Sequence, residues 1–199
     1  LQMPRAICLV NDGVLVAEPP FLWFCQDKNG DGKSDVKEIV DDKYGSQGNP
    51  EHTSNGLMMA LDNWIYSANH SSRYKKIDGK WVKEATSGRG QWGISQDNYG
   101  RIYFNSNSDQ LRVDLFPTHY LSQNPNLGRL VGGSYRTTSD QTVWPNRINP
   151  GVNRAYRPGT LRSEDYTLAR YTGASGPVIY RGNNFPSDFV GNGFIPEPT

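Results

Sequence analysis

Short apolar stretches separated by turn residues dominate the hydrophobic pattern of the chain. The longest, at residues 6–10, 14–17 and 21–25, have the length of strands. Gly and Pro interrupt every stretch in which apolar residues might recur at i, i+3, i+4 and i+7, the spacing of an amphipathic helix. The pattern therefore predicts an all-β protein in which helices are minor or absent.

A repeated unit orders these strands. It consists of an apolar strand, a turn that contains Asp, and a second strand that ends in polar residues. Three copies are clear and a fourth is looser, at residues 7–18, 57–69, 92–105 and 178–197. The turn aspartates Asp12, Asp62 and Asp97 are 50 and 35 residues apart, which brackets the roughly 40 to 50 residues of a four-stranded propeller blade.

The second copy continues into a complete blade. Two further strands, at residues 73–77 and 81–84, flank Asp78-Gly79, and an Asp-Gly pair between two strands is a strong hairpin signal. A β-sandwich also has short strands and frequent turns. Because a whole motif is repeated, we expect a β-propeller.

The repeats predict a partial β-propeller domain over residues 1–199, with about four blades near 5–45, 52–86, 89–115 and 175–199. Propellers typically have about 4 to 8 blades, so we expect the chain to be part of a longer polypeptide. Between the third and fourth of these blades, we expect residues 116–174 to form a long loop insertion rich in Pro, Asn and Arg. Its arginines, Arg162 among them, favour an ordered loop, with a flexible linker as the alternative.

Composition and charge exclude several function classes. The chain has 21 Lys and Arg against 20 Asp and Glu, a net charge of +1, which disfavours nucleic acid and anionic membranes as partners. Mean hydropathy is −0.70 and no apolar run approaches the length of a transmembrane helix. Two cysteines, Cys8 and Cys25, exclude a disulfide-dense scaffold and favour buried thiols.

The sharpest chemical motif is an acidic turn at residues 27–35. It places oxygen ligands at positions 1, 3, 5 and 9, Gly at position 6 and a backbone carbonyl at position 7, the spacing of a calcium-binding loop between two strands. The ligands would be Asp27, Asn29, Asp31, Lys33 through its carbonyl, and Asp35. An acidic Gly-rich turn that needs no ion is the alternative. In either case its role is structural.

The residues that lead into each innermost strand form a second group of candidates. In a propeller these loops converge on one mouth of the central channel, where ligands usually bind. They contribute His52, Arg89 and several glycines, and an imidazole near guanidinium groups suits proton abstraction from an alcohol. The alternative for His52 is a structural loop histidine, which is also the interpretation favoured for His70 and His119.

Other catalytic motifs are missing from the sequence. There is no G-x-G-x-x-G between a strand and a helix, no P-loop, no G-x-S-x-G elbow and no C-x-x-C-H haem attachment. Nucleotide cofactors and hydrolase triads therefore have no support from motifs.

Seven stretches resemble a bacterial family of membrane-bound dehydrogenases, whose β-propeller is similar to soluble PQQ-dependent sugar dehydrogenases and L-sorbosone dehydrogenases. They are residues 22–33, 49–57, 62–66, 89–93, 104–112, 149–154 and 176–182. The resemblance implies a six-bladed propeller in the full protein, a periplasmic or extracellular location, and often a c-type haem domain outside this segment.

The resemblance also implies roles for individual residues. His52, in the stretch His52-Thr-Ser-Asn-Gly-Leu57, would be the general base, and Arg89 and Gln91 would contact PQQ. The loop of Asn105, Ser106 and Asn107 would bind the calcium of the cofactor through backbone carbonyls.

These expectations lead to two functions. The first is a quinoprotein-type oxidoreductase that oxidises a sugar or polyol and transfers hydride to PQQ. The alternative is a non-catalytic carbohydrate- or protein-binding propeller module, associated with a haem-bearing electron-transfer protein.

Overall fold

Strands organise the chain into separate antiparallel sheets, which confirms the all-β prediction. The computed structural model describes residues 2–45, 49–127, 131–144 and 157–198, and within them four sheets are present. The first contains β1 (Ala6–Val10), β2 (Gly13–Glu18), β3 (Phe21–Gln26) and β4 (Val36–Asp41). The second contains β5 (Asn55–Met59), β6 (Ile65–Ala68), β7 (Ser72–Ile77) and β8 (Lys80–Ala85).

The other two sheets are smaller. The third contains β9 (Ile94–Gln96), β10 (Ile102–Ser106), β11 (Asp109–Asp114) and β12 (Tyr135–Arg136), and the fourth contains β13 (Val178–Ile179) and β14 (Gly193–Phe194). The described helices are α1 (Thr118–Ser122) and two 3-10 turns, Pro50–His52 and Ser187–Phe189. None of these described helices is long and apolar enough to span a membrane.

Each four-stranded sheet is a meander in which strands pair in chain order. The first strands of neighbouring sheets lie side by side: β1 contacts β5, β5 contacts β9, and β9 contacts β13. The residues that lead into these first strands are consequently brought together at one end of the sheets.

The turns follow the predicted chemistry. Asp62 and Asp97 cap the turns between the first two strands of their sheets, because their Oδ1 atoms accept hydrogen bonds from the Trp64 amide (3.1 Å) and the Tyr99 amide (2.9 Å). Asp78 and Gly79 join β7 to β8 with φ of 49° and 75°, the backbone of a two-residue hairpin loop.

The described residues of the stretch 116–174 include short paired segments. Its residues 135–136 form β12, which extends the third sheet beyond residue 115. Bridges join Thr142 to Arg170 and Leu161 to Leu168, and Arg162 donates a hydrogen bond to the hydroxyl of Thr167 at 3.0 Å. A strand of two residues is too short to show the alternation of apolar and polar positions from which strands are predicted. Residues 145–156, which include the stretch 149–154, lie outside the described residues.

The core lies between the sheets. Leu15, Leu22, Tyr44, Ile65 and Tyr74 are almost fully buried in one cluster between the first two sheets. A second cluster, built from Ala60, Tyr66 and Ile102, joins the second sheet to the third. Each sheet thus stabilises its neighbour by burying apolar faces that would otherwise be in water. Cys8 and Cys25 are buried free thiols, as the sequence predicts.

Candidate functional site

Three glycines hold the first strands in backbone contact. Gly56 is the second residue of β5, Gly93 directly precedes β9, and Gly176 lies two residues before β13. A Cβ on Gly56 would lie 2.8 Å from the Cα of Gly93, and a Cβ on Gly93 would lie 2.9 Å from the Cα of Gly176. Their φ angles are +62°, +69° and +48°. At Gly56 and Gly93 both the contact and the backbone conformation require glycine, whereas at Gly176 only the backbone conformation does.

A buried amide fastens this arrangement. Asn55 is 3% exposed; its Nδ2 donates to the carbonyl of Gln91 at 2.8 Å and its Oδ1 accepts from the amide of Gly93 at 3.0 Å. The amide of Gly176 in turn donates to the carbonyl of Trp92 at 2.8 Å. The segments before three of the first strands are thus linked by hydrogen bonds.

These segments surround a pocket, called here the inner pocket, of about 610 Å³. Its lining includes Arg5, Glu51, Trp92, Asn107 and Ser175, with the three glycines and Asn55 close by. Among the described residues, neither the guanidinium of Arg5 nor the carboxylate of Glu51 has an ion-pair or hydrogen-bond partner. The pocket therefore offers an indole surface and unpartnered charged groups to a ligand.

His52 follows Glu51 at the end of the Pro50–His52 turn, and it is not among the residues that line the inner pocket. The Oδ1 of Asn49 caps the turn by accepting from the Glu51 amide at 3.0 Å, and Asn69 donates to the carbonyl of His52 at 2.9 Å. The imidazole is exposed, and its Nδ1 lies 2.8 Å from the side-chain amide of Gln91. The structure thus brings the predicted residues His52 and Gln91 into direct contact.

Arg89 is held by hydrogen bonds at all three of its side-chain nitrogens. It is 4% exposed, its Nε pairs with Asp114 at 2.7 Å, and its other nitrogens donate to the Thr86 and Thr118 hydroxyls and the Ser87 carbonyl at 2.8 to 3.1 Å. A guanidinium with these partners cannot also bind an anionic ligand without breaking a buried ion pair. Arg89 therefore joins the second sheet to the third.

Asn105, Ser106 and Asn107, which were expected to bind calcium through their carbonyls, lie in three different surroundings. Asn105 is fully buried; its carbonyl accepts from the Gln91 amide at 2.9 Å, and its side-chain amide has no hydrogen-bond partner among the described residues. Ser106 pairs with Asp109 where β10 departs from regular register. Asn107 alone of these residues lines the inner pocket, and its carbonyl accepts from the Ala174 amide at 3.0 Å.

The acidic turn at residues 27–35 is exposed and curls around Asp27. Hydrogen bonds from the amides of Gly32 (2.8 Å) and Gly30 (2.7 Å) lower the pKa of Asp27. The two glycines have φ of +81° and +80°, and Asp35 accepts from the Lys28 amide at 2.7 Å. Within the described residues, no group of three or more His, Cys, Asp or Glu side chains is close enough to hold a metal.

A second concavity of about 620 Å³, called here the side cleft, lies between the first two sheets. His52 and Arg89 line it, together with His70, Ser54 and Lys43. Burial lowers the pKa of His70 to about 4, so this imidazole is neutral at pH 7. Sequence reasoning assigned His70 a structural role, and no motif connects it to its neighbours.

Comparison with known proteins gives one family. The family model described as Domain of unknown function (DUF7133) matches residues 1–199. No curated protein and no solved structure matches the chain.

Proposed function

Because the chain belongs to the family described as Domain of unknown function (DUF7133), we propose a function from its own geometry. The chain is part of a β-propeller, and its inner pocket binds a sugar or polyol. The observation that carries the proposal is the convergence of segments from separate sheets on one pocket.

The strand order supports a propeller. Successive meanders with their first strands side by side are the arrangement of blades around an axis. A sandwich would instead pack two sheets face to face. The pocket lies where the segments leading into those first strands meet, which in a propeller is one mouth of the central channel.

The lining of the inner pocket suits a polyhydroxylated ligand. The indole of Trp92 offers an apolar face for the C–H groups of a sugar ring. The carboxylate of Glu51 accepts hydrogen bonds and the guanidinium of Arg5 donates them, and neither has an ion-pair or hydrogen-bond partner among the described residues. Sugar hydroxyls both donate and accept, so this pair can satisfy neighbouring hydroxyls.

Tryptophan fluorescence and calorimetric titration with a panel of sugars and polyols test the proposal. We expect saturable binding that Trp92→Ala weakens at least about tenfold, which corresponds to about 1.4 kcal/mol. Trp144→Ala is the matched control, because Trp144 is 82% exposed and lies outside the pocket lining. Absence of binding across the panel, or equal weakening by both variants, contradicts the proposal.

Sugar oxidation is a second candidate function, favoured by the contact between His52 and Gln91. The side-chain nitrogen of Gln91, which can only donate, faces Nδ1 of His52 at 2.8 Å, so in this arrangement the neutral imidazole carries its proton on Nε2. Rotation of the Gln91 amide by 180° would bring its carbonyl to Nδ1–H and leave on Nε2 the lone pair that a general base needs, so proton abstraction by His52 requires that rotation. His52→Ala should then abolish sugar-dependent dye reduction by the full-length protein while leaving its circular dichroism unchanged.

The described residues do not fit PQQ. This quinone carries several carboxylates, whereas Arg5 is the only cationic side chain among the described residues that line the inner pocket, and Glu51 lies in the same lining. Arg89 is already paired with Asp114 in a buried ion pair. We therefore derive no oxidation step through PQQ, and dye reduction is measured with and without it.

Calcium at residues 27–35 is a separate part of the proposal. The spacing of Asp27, Asn29, Asp31 and Asp35, with two glycines at positive φ, is that of a loop that curls around a calcium ion. An ion there would brace the hairpin between β3 and β4. Sites of this kind with modest affinity are typical of the periplasm and the extracellular space, where we propose that the protein resides.

A further inference from the structure

A chain of hydrogen bonds runs along the wall of the side cleft from a serine to a carboxylate. The Oγ of Ser54 lies 3.2 Å from Nδ1 of His70, and Nε2 of His70 lies 2.8 Å from the hydroxyl of Tyr74. The Tyr74 hydroxyl donates to Asp41 at 2.5 Å, and Lys83 pairs with the same carboxylate at 2.6 Å. The four members come from the first two sheets and the segment between them.

The carboxylate fixes the direction of the protons on Tyr74 and on His70. Although burial raises it, hydrogen bonds from Lys83 and Tyr74 lower the pKa of Asp41, so Asp41 is an ionised acceptor. Tyr74 must then donate to Asp41 and accept from Nε2–H of His70. Nδ1 of the neutral imidazole is left with its lone pair facing the hydroxyl of Ser54, whose proton is shared between Nδ1 at 3.2 Å and the carbonyl of Asn69 at 3.1 Å.

We propose that Ser54 is a nucleophile, that His70 is its general base, and that the side cleft hydrolyses a polar ester. Tyr74 and Asp41 are positioning residues that hold the imidazole in one tautomer. This activity belongs to a different cavity from the sugar-binding inner pocket and is independent of it.

The step balances without any further reagent. Ser54 Oγ bonds to the carbonyl carbon of the ester while its proton passes to Nδ1 of His70. The bond to the alcohol oxygen then breaks, and the same proton leaves with the alcohol. Water hydrolyses the acyl-enzyme by the reverse sequence, with His70 again accepting and returning the proton. The imidazolium formed in each half is stabilised by Asp41 through Tyr74.

The surroundings suit this chemistry. The cleft is lined by hydroxyl and amide side chains, including those of Ser71 and Asn69, which favour a polar substrate over a lipid. Lys43 also lines it, and its ammonium group has no ion pair among the described residues. That positive charge is available to the oxyanion that develops on the ester carbonyl.

Labelling of the full-length protein with a fluorophosphonate probe tests the proposal. The probe phosphonylates activated serines, and mass spectrometry of peptides identifies the labelled residue. We expect label on Ser54, no label in Ser54→Ala, and wild-type labelling in Ser139→Ala, which changes an exposed serine outside the cleft. Hydrolysis of p-nitrophenyl acetate should be lost in Ser54→Ala and retained in Ser139→Ala.

The base is tested separately. His70→Gln should slow labelling of Ser54 at least about 100-fold, the usual contribution of general base catalysis, with circular dichroism as the control for folding. The site of label in the wild-type protein needs no variant, so the result stands even if His70→Gln does not fold. Label elsewhere than Ser54, no label at all, or wild-type ester hydrolysis by Ser54→Ala would overturn the proposal.

Discussion

Acidification should weaken the fold through His70. The folded protein holds this imidazole neutral, with a pKa that burial lowers to about 4, whereas an unfolded chain has a histidine pKa of about 6.5. Between these values the unfolded state binds more protons than the folded state. The free energy of unfolding must therefore fall as the pH falls through this window, and it should change little above it.

The magnitude follows from the two pKa values. Between pH 7 and pH 5 the contribution of His70 to the free energy of unfolding falls by about 2 kcal/mol. The reason is that at pH 5 this histidine is mostly protonated in the unfolded chain but mostly neutral in the folded protein. The groups around the ring are Asp41 and the backbone of Tyr44, which raise the pKa, and Lys83, which lowers it, with the hydroxyls of Ser54 and Tyr74 nearby. Asp41 itself titrates below this window.

Urea unfolding at pH 7 and pH 5, followed by circular dichroism, measures the effect. Burial and then the charge of Arg73 also lower the pKa of His119, so the wild-type protein alone does not isolate His70. The matched comparison is His70→Gln, which keeps a polar side chain but cannot titrate. If the wild-type protein and His70→Gln lose the same free energy between the two pH values, the reasoning about His70 is refuted.

Three further predictions address the fold and the acidic turn. Gly93→Ala should lower the free energy of unfolding by about 1 to 3 kcal/mol, and by more than Gly79→Ala, since Gly79 has a similar φ but open space around it; equal losses in urea unfolding would contradict the backbone contact. Asp114→Asn should destabilise by about 3 to 5 kcal/mol, because it leaves the charge of Arg89 buried and unpaired, and a loss below about 1 kcal/mol in the same assay would contradict this assignment. Calcium should raise the melting temperature of the wild-type protein but not of Asp27→Asn in a thermal scan; an unchanged wild-type melting temperature would rule out the proposed ion.

The repeated strands were predictable because their signals are local. The Asp turn of each copy and the Asp78-Gly79 pair act on their nearest neighbours, so a few residues determine where each hairpin turns. The glycines that precede the first strands were visible too, but only as residue types. Their mutual contact joins positions 37 and 83 residues apart, from Gly56 to Gly93 and from there to Gly176.

Side-chain partners across sheets were not predictable in the same way. The residues around Arg89 resemble a ligand-binding motif, yet its guanidinium pairs with Asp114, which lies 25 residues further along the chain. The hydrogen bonds from Ser54 to His70 and on to Tyr74 and Asp41 likewise cross from one sheet to another. Neither spacing nor residue type marks such a set when its members are brought together only by tertiary structure.

At the glycine contacts, neighbouring sheets touch through backbone atoms, with no side chains between them. Where side chains separate two elements, a substitution can be absorbed by a new rotamer. Where backbone contacts backbone, an added methyl group forces the backbone itself to shift. Substitutions in the outer strands should therefore be tolerated better, while at Gly56 and Gly93 a single added carbon would separate the first strands and distort the inner pocket that these glycines line.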